Sequence, residues 1–372
     1  MAQEKSYSPG THADLPPPVT QVGFLGWIRK NLLSSPTNIA LSALSVYFLY
    51  LIIPPMLNWA FFDAIFTGAG HRNECREIGS GACWVVVTLR FDQFMYGFYP
   101  EALRWRVNLA FVLMFVALAP VLYDRTPGRK YLLWFSLFYP VLAFFLLWGG
   151  LGFEPVESAK FGGFLLTVLI GMTGIVISLP LGIALSLGRH SSMPIIRSLS
   201  VCYIEFFRGV PLITLLFVAS TLLNFFMPPG TNFDLLLRVI IMVILFSAAY
   251  IAEVIRGGLA AIPKGQFEAA DALGLTYPKA MRLIILPQAL KISIPGIVNT
   301  FIGLYKDTTL VVIVGLLDPL GISRASLADS KWQGLSTELY IFIAVGFFIS
   351  CFAMSRYSLY LERKLDTGHR EK

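Results

Sequence analysis

The sequence predicts an all-α polytopic membrane protein with about eight transmembrane helices, and three observations carry that prediction. Hydrophobic residues make up 56% of the 372 and charged ones only 14%, against about a quarter in a soluble domain. Eight stretches reach or approach the roughly 20 apolar residues that cross a bilayer: about 38–62, 107–123, 131–149, 161–188, 205–227, 235–255, 292–316 and 336–360. Lys and Arg collect in alternate connections between these stretches, as cytoplasmic loops do. The net charge of +7 is therefore read as positive-inside bias, not as a nucleic-acid surface.

Residues 1–37 are polar and proline-bearing (Leu15 to Val19) and predict a cytoplasmic N-terminal tail, since a cleaved signal would place its apolar core much earlier. The tail ends in an amphipathic lead-in, Val22 to Leu33, with Trp27, Arg29 and Lys30 near the headgroups. Three accessory spans follow over 38–149, enclosing a large periplasmic loop, 63–106. Cys75 and Cys83 lie in that loop, where an oxidising compartment allows a bridge and two free thiols remain the alternative. Trp84 to Leu89 is too short to span and reads as interfacial or strand-like.

A composition shift near Gly149–Lys160 marks the boundary with a five-span core, 150–365, and residues 366–372 form a cytoplasmic tail. An even number of spans puts both termini on one side. Arg29, Lys30, Arg125, Arg129, Lys130, Arg189, Arg197, Arg256, Lys264, Lys279, Arg282, Lys291, Arg363, Lys364, Arg370 and Lys372 make that side cytoplasmic, and the Met227–Asp234 turn opposite has no Lys or Arg. The exception is 63–106, where five arginines accompany Glu74, Glu77, Asp92 and Glu101.

Within the core, Gly171 and Gly174 permit close helix approach, and Pro180 predicts a kink. Arg208 sits where a cytoplasmic helix enters the bilayer, either snorkelling to the interface or lining a substrate path. Glu253 with Arg256, and Asp234 with Arg238, read as structural pairs. The polar stretch 256–291 is the most informative. Pro263 suits the first turn of a helix carrying Glu268, Ala269 and Ala270; Gly274 supplies a left-handed stop. Thr276 caps a second helix, with Pro278 in its first turn, running toward Ile284, Leu286 and Pro287. A helix, a glycine corner and a helix make a cytoplasmic docking knob. Further on, Lys306, Asp307, Thr308 and Thr309 place ionisable groups inside the seventh span, where such residues are functional candidates by default or else pair locally or break the helix.

No nucleophile elbow, no His-Glu-x-x-His and no phosphate loop is present, so ATP hydrolysis by that route would need another polypeptide. A stand-alone ion-coupled secondary transporter is the rival reading; it predicts internal repeats and midplane acidic residues, and neither is evident apart from Asp307.

Glu268-Ala269-Ala270, followed by Gly274, Ile284 and Leu286-Pro287, resembles the EAA loop of ABC-importer permeases with every marked position filled. With Gly162-Gly163, Pro180-Leu181-Gly182 and Phe207 to Leu212 in order before it, residues 155–365 look like a polar amino-acid ABC-importer permease. The three extra spans are similar to those of a permease subunit of the general L-amino-acid system. Val210 stands where the common pattern has Thr. The resemblance implies a type I permease core of five helices whose coupling loop seats in a cytoplasmic ATPase. It implies two ATPase subunits holding ATP and Mg, a sister permease, a periplasmic amino-acid-binding protein, no cofactor on this chain, and an inner-membrane location.

Overall fold

The structure, a computed structural model, describes residues 23–222, 225, 228 and 233–365. Residues 1–22 of the predicted tail, most of the Met227–Asp234 turn and the tail at 366–372 lie outside the described residues. The chain divides into two compact units.

The smaller unit comprises residues 1–68 and 73–84. Helix α1 (Gly23–Asn31) precedes α2 (Pro36–Leu57), whose Ser35 cap accepts the Asn38 N–H at 3.2 Å, with Pro36 in the first turn where its missing N–H costs nothing. No residue of α2 is buried within the chain, and the helix is long and apolar enough to cross a membrane. Helix α3 (Arg72–Ile78) carries Cys75, which is bonded to Cys83 with the Cα atoms 5.9 Å apart. Ile65 fastens the same loop by exchanging backbone hydrogen bonds with Ala82 and Trp84.

The larger unit comprises residues 69–72 and 85–372. It opens with α4 (Val85–Tyr96), which corrects the strand-like reading of Trp84 to Leu89. A β-branched run favours a strand locally, but Val85, Val86 and Val87 are buried, and tertiary packing overrides that preference. Helices α5 (Arg104–Leu122) and α6 (Arg129–Trp148) form a hairpin around the polar turn, where Gly128 takes φ +68°. Next come α7 (Gly163–Arg189), unbroken across Pro180, then α8 (Pro194–Gly209) and α9 (Leu212–Phe217), the latter prolonged by a π-turn to Leu222.

The predicted fifth span, 205–227, is therefore not one straight helix. Helix α8 begins earlier, and the chain turns through 99° between the two segments. Pro211 has no N–H to continue the ladder and holds Val210 extended, at φ −106° and ψ 130°. Among the described residues seven helices are long and apolar enough to cross a membrane, and the bent pair makes up to eight.

Helix α10 (Leu235–Ala260) leads to α11 (Lys264–Ala272) and α12 (Tyr277–Ala280), and a π-turn at Met281–Ile285 joins α12 to α13 (Leu286–Asp307). The knob's second helix is thus continuous with the seventh span. Pro287 would collide with the carbonyl four residues earlier in a regular helix, and the wider turn placed just before it relieves that clash. A 3₁₀ segment, Thr308–Val314, precedes α14 (Pro319–Ala328) and α15 (Ser336–Leu365).

Glycines set the packing of α7. A Cβ on Gly171 would meet Tyr305 at 3.2 Å, and one on Gly174 would meet Leu304 at 3.0 Å and Val243 at 3.2 Å, so α7 lies close against α10 and α13. Three of the five arginines in 63–106 are accounted for by burial or pairing. Arg90 pairs with Asp329 at 2.6 Å, and Arg104 with Asp92 at 2.7 Å. Arg106 is 1% exposed and donates to the carbonyls of Leu146 at 2.6 Å and Glu154 at 2.8 Å. At the other end, Tyr357 donates to the Leu122 carbonyl at 2.7 Å and Lys364 pairs with Asp124, so the α5–α6 turn meets the end of α15.

Asp318 caps α14 by accepting the Gly321 N–H at 2.9 Å, but it is fully buried and its second oxygen has no hydrogen-bond partner. Burial raises its pKa from 3.8 to about 6. A raised carboxyl pKa stabilises the fold fully below the unfolded value, and that contribution is lost as pH rises from about 4 through about 6. Asp318→Asn keeps the capping oxygen without the charge. It is expected to flatten the decline in thermal stability between these pH values, on the order of 3 kcal/mol for two pKa units, in pH-resolved melting of the detergent-solubilised protein.

Candidate functional site

The predicted motif residues divide into an outer and an inner set. Helix α11 starts after Pro263, which is its cap and not its first helical residue. Glu268 and Ala269 face outward, whereas Ala270 is fully buried. Gly274 takes φ +68°, donating to the Asp271 carbonyl at 2.9 Å, and the Leu275 N–H reaches back to the Ala270 carbonyl at 3.2 Å. These two bonds close the helix end in a Schellman arrangement, which needs a left-handed residue at that position. Thr276 caps α12 through its backbone, and its hydroxyl makes no capping hydrogen bond. Ile284 and Leu286 are half-buried and Pro287 is exposed.

Beneath this surface, Ile262, Met281, Ile285 and Ala289 form one apolar cluster with Ile251, Ile255 and Leu259 of α10. Gln288 donates to the Gln266 side chain at 2.9 Å, fastening α11 to the base of α13. The knob is therefore anchored to two membrane helices at once. Its outer surface also carries large apolar side chains that sequence reasoning missed: Leu273 is 74% exposed, Tyr277 59% and Leu283 64%. Exposed apolar residues on the knob suit a protein partner, and only the burial pattern separates them from core residues.

Lys306 and Asp307 end α13, where the backbone tightens into the 3₁₀ segment. Lys306 is exposed and Asp307 half-buried. The Thr308 hydroxyl is buried and donates to the Tyr305 carbonyl at 2.7 Å, while Thr309 donates to the Lys306 carbonyl at 2.9 Å. Both hydroxyls thus serve the helix transition, whereas the adjacent ammonium and carboxylate do not.

Arg208 stands elsewhere, in an ionic cluster at the other end of the core. Its guanidinium lies 3.6 Å from Glu253, which also receives Arg256 at 2.6 Å and Arg189 at 3.4 Å; Arg189 in turn pairs with Glu205 at 2.8 Å. The expected Glu253–Arg256 pair is present but is one arm of a larger assembly. Asp234 caps α10 through the Leu237 N–H at 2.9 Å and also engages the Ser158 hydroxyl. Arg238 donates to the carbonyls of Ala219 and Ser220 at 3.1 and 2.9 Å. Among the described residues no group of three or more His, Cys, Asp or Glu side chains could hold a metal ion.

Residues 178–367 match the family described as "Binding-protein-dependent transport system inner membrane component". The chain is 49% identical to the glutamate/glutamine/aspartate/asparagine transport system permease protein BztC of Rhodobacter capsulatus, over 96% of this chain and 97% of that one. It is 50% identical to the inner membrane amino-acid ABC transporter permease protein YhdY of Escherichia coli strain K12, over 92% and 93%. A shorter relative, the probable glutamine ABC transporter permease protein GlnM of Bacillus subtilis strain 168, is 33% identical over 57% of this chain and 95% of its own length.

Proposed function

The chain belongs to the family of binding-protein-dependent transport system inner membrane components, and from that premise we propose that it is the permease subunit of an ATP-driven importer of L-amino acids. The observation that carries this reading is near end-to-end identity of 49–50% with two permeases named for amino-acid transport. Acidic amino acids and their amides are the substrates favoured, since the relative matched over 97% of its length is named for them.

The chain lines the translocation path and takes its energy from elsewhere. Two ATPase subunits hold ATP and Mg, and one of them docks on the knob through Glu268, Ala269 and Gly274 with Leu273 and Tyr277 as apolar anchors. ATP binding draws them together and carries the knob inward. Because α12 runs without interruption into α13, that displacement reaches the bilayer as a rigid movement. A sister permease completes the path, a periplasmic binding protein delivers the amino acid, and the Lys306–Asp307 pair matches its carboxylate and ammonium. Both termini lie in the cytoplasm, on the side where Lys and Arg accumulate.

Proteoliposomes test this directly. With the co-purified ATPase, sister permease and binding protein, L-glutamate uptake is expected only with ATP on the cytoplasmic face. Uptake by this chain alone, driven by an ion gradient, would overturn the importer reading.

A further inference from the structure

The importer reading requires that movement of the knob reach the helices around it, and the ionic cluster on α10 is built for that task. We infer that Glu253 is a positioning residue that links the knob to the bend between α8 and α9 through its two carboxylate oxygens. This inference rests on the importer reading and assigns it a residue outside the EAA motif.

The two oxygens are used differently. Oε1 takes Arg256 from the same helix at 2.6 Å. Oε2 takes Arg189, the last residue of α7, at 3.4 Å and Arg208, the penultimate residue of α8, at 3.6 Å. A local helix pair needs only the first of these contacts. The second oxygen spans three helices, and its Arg208 partner stands two residues before Val210, where the chain begins its 99° turn. Gly209 at that turn has nothing within 4 Å of a Cβ position, so the backbone there is free of side-chain packing.

On the other side, Glu253 is tied to the knob. Only Ala261, Ile262 and Pro263 separate α10 from α11, and Ile262 is buried in the same cluster as Ile251, Ile255, Met281 and Ile285. A displacement of α11 therefore moves the end of α10 with it. The cluster holds three guanidinium groups and two carboxylates, an imbalance of one positive charge. Its side chains are 21–54% exposed. Pairs this accessible to water can be exchanged without the penalty of breaking a buried pair. The geometry is that of a joint whose partners can change as the knob moves.

The test uses the reconstituted complex with its ATPase, sister permease and binding protein, reading the ratio of ATP hydrolysis with and without loaded binding protein, and amino acid taken up per ATP. Glu253→Gln is expected to lower both by about five- to tenfold, the range of a modest coupling free energy. The double variant Glu253→Arg with Arg256→Glu keeps a pair within α10 but sets like charge against Arg189 and Arg208; it is expected to be equally uncoupled. Glu253→Arg with Arg208→Glu restores the contact across helices and is expected to recover part of the loss. A well-assembled Glu253/Arg256 exchange with unaltered stimulation would overturn the joint and leave only a helix pair. Should Glu253→Gln fail to assemble, Arg208→Gln removes only the contact across helices, and full coupling in that variant has the same overturning force. Failure of the unaltered complex to couple uptake to ATP would instead overturn the importer reading.

Discussion

A Gly274→Asp chain is expected to insert and assemble normally yet to lose uptake by at least about tenfold, a loss of coupling free energy within the usual allosteric range. The reasoning separates backbone from surface. Gly274 has φ +68°, which Asp and Asn tolerate better than other side chains, and nothing lies within 4 Å of a Cβ there. The two bonds closing α11 are made by backbone atoms and survive the change. The fold is thus expected to lose no more than about 1 kcal/mol. The new carboxylate, however, stands between Leu273 and Tyr277, in a surface proposed to seat in another protein. Burying an unpaired charge there costs several kcal/mol. Gly274→Asn, with the same backbone and no charge, should retain most uptake, whereas Gly274→Val strains the turn itself and should lower the yield of folded protein. Glu268→Lys should resemble Gly274→Asp, since it inverts a charge on the same exposed face. Uptake and ATP hydrolysis measured side by side check all four. Normal uptake by well-expressed Gly274→Asp would remove the knob from the mechanism.

What could be read from the sequence follows the range of the forces involved. Lipid exposure imposes long apolar runs, so seven of the eight predicted spans were visible as composition, with ends that agree to about six residues except at the start of the seventh. The Gly274 corner was equally legible, because a left-handed residue is a local requirement. The bend at Val210–Pro211 was not, although the proline was in plain view. Proline interrupts a hydrogen-bond ladder but does not say whether the helix continues beyond it, and α7 continues unbroken past Pro180. The same ambiguity hid the continuity of α12 with α13, where the π-turn absorbs Pro287. The division of the EAA motif was also hidden, since Ala269 and Ala270 are identical residues facing opposite ways. Glu253 was legible as half of a helix pair. Its partners on α7 and α8 lie 64 and 45 positions away in the chain, beyond any local pattern.

Arg106 carries the largest stability effect expected of a single side chain, and nothing in its sequence context distinguishes it from a loop arginine. The last turn of α6 exposes carbonyls that no further helix residue can satisfy. Arg106 meets two acceptors, with Nε donating to Leu146 at 2.6 Å and Nη1 to Glu154 at 2.8 Å, and a longer contact reaches Phe145 at 3.5 Å. Its guanidinium lies 5.3 Å from the centroid of the Phe153 ring. No carboxylate is among these partners; the negative end of the α6 dipole and the ring face balance the charge. Arg106→Met fills similar space but leaves the buried Leu146 carbonyl and the half-buried Glu154 carbonyl without this donor, at about 1–3 kcal/mol each, and removes a favourable charge–dipole contact. The expected cost is roughly 3–5 kcal/mol, seen as a melting temperature lower by several degrees or more in detergent. Arg106→Lys keeps the charge but cannot reach both carbonyls in one planar fork, so it should fall between the two. Because Arg106 lies at the opposite end of the core from the knob, the folded fraction of either variant should retain its normal ratio of uptake to ATP hydrolysed. A Met variant that melts with the unaltered protein would mean that water already satisfies this helix end.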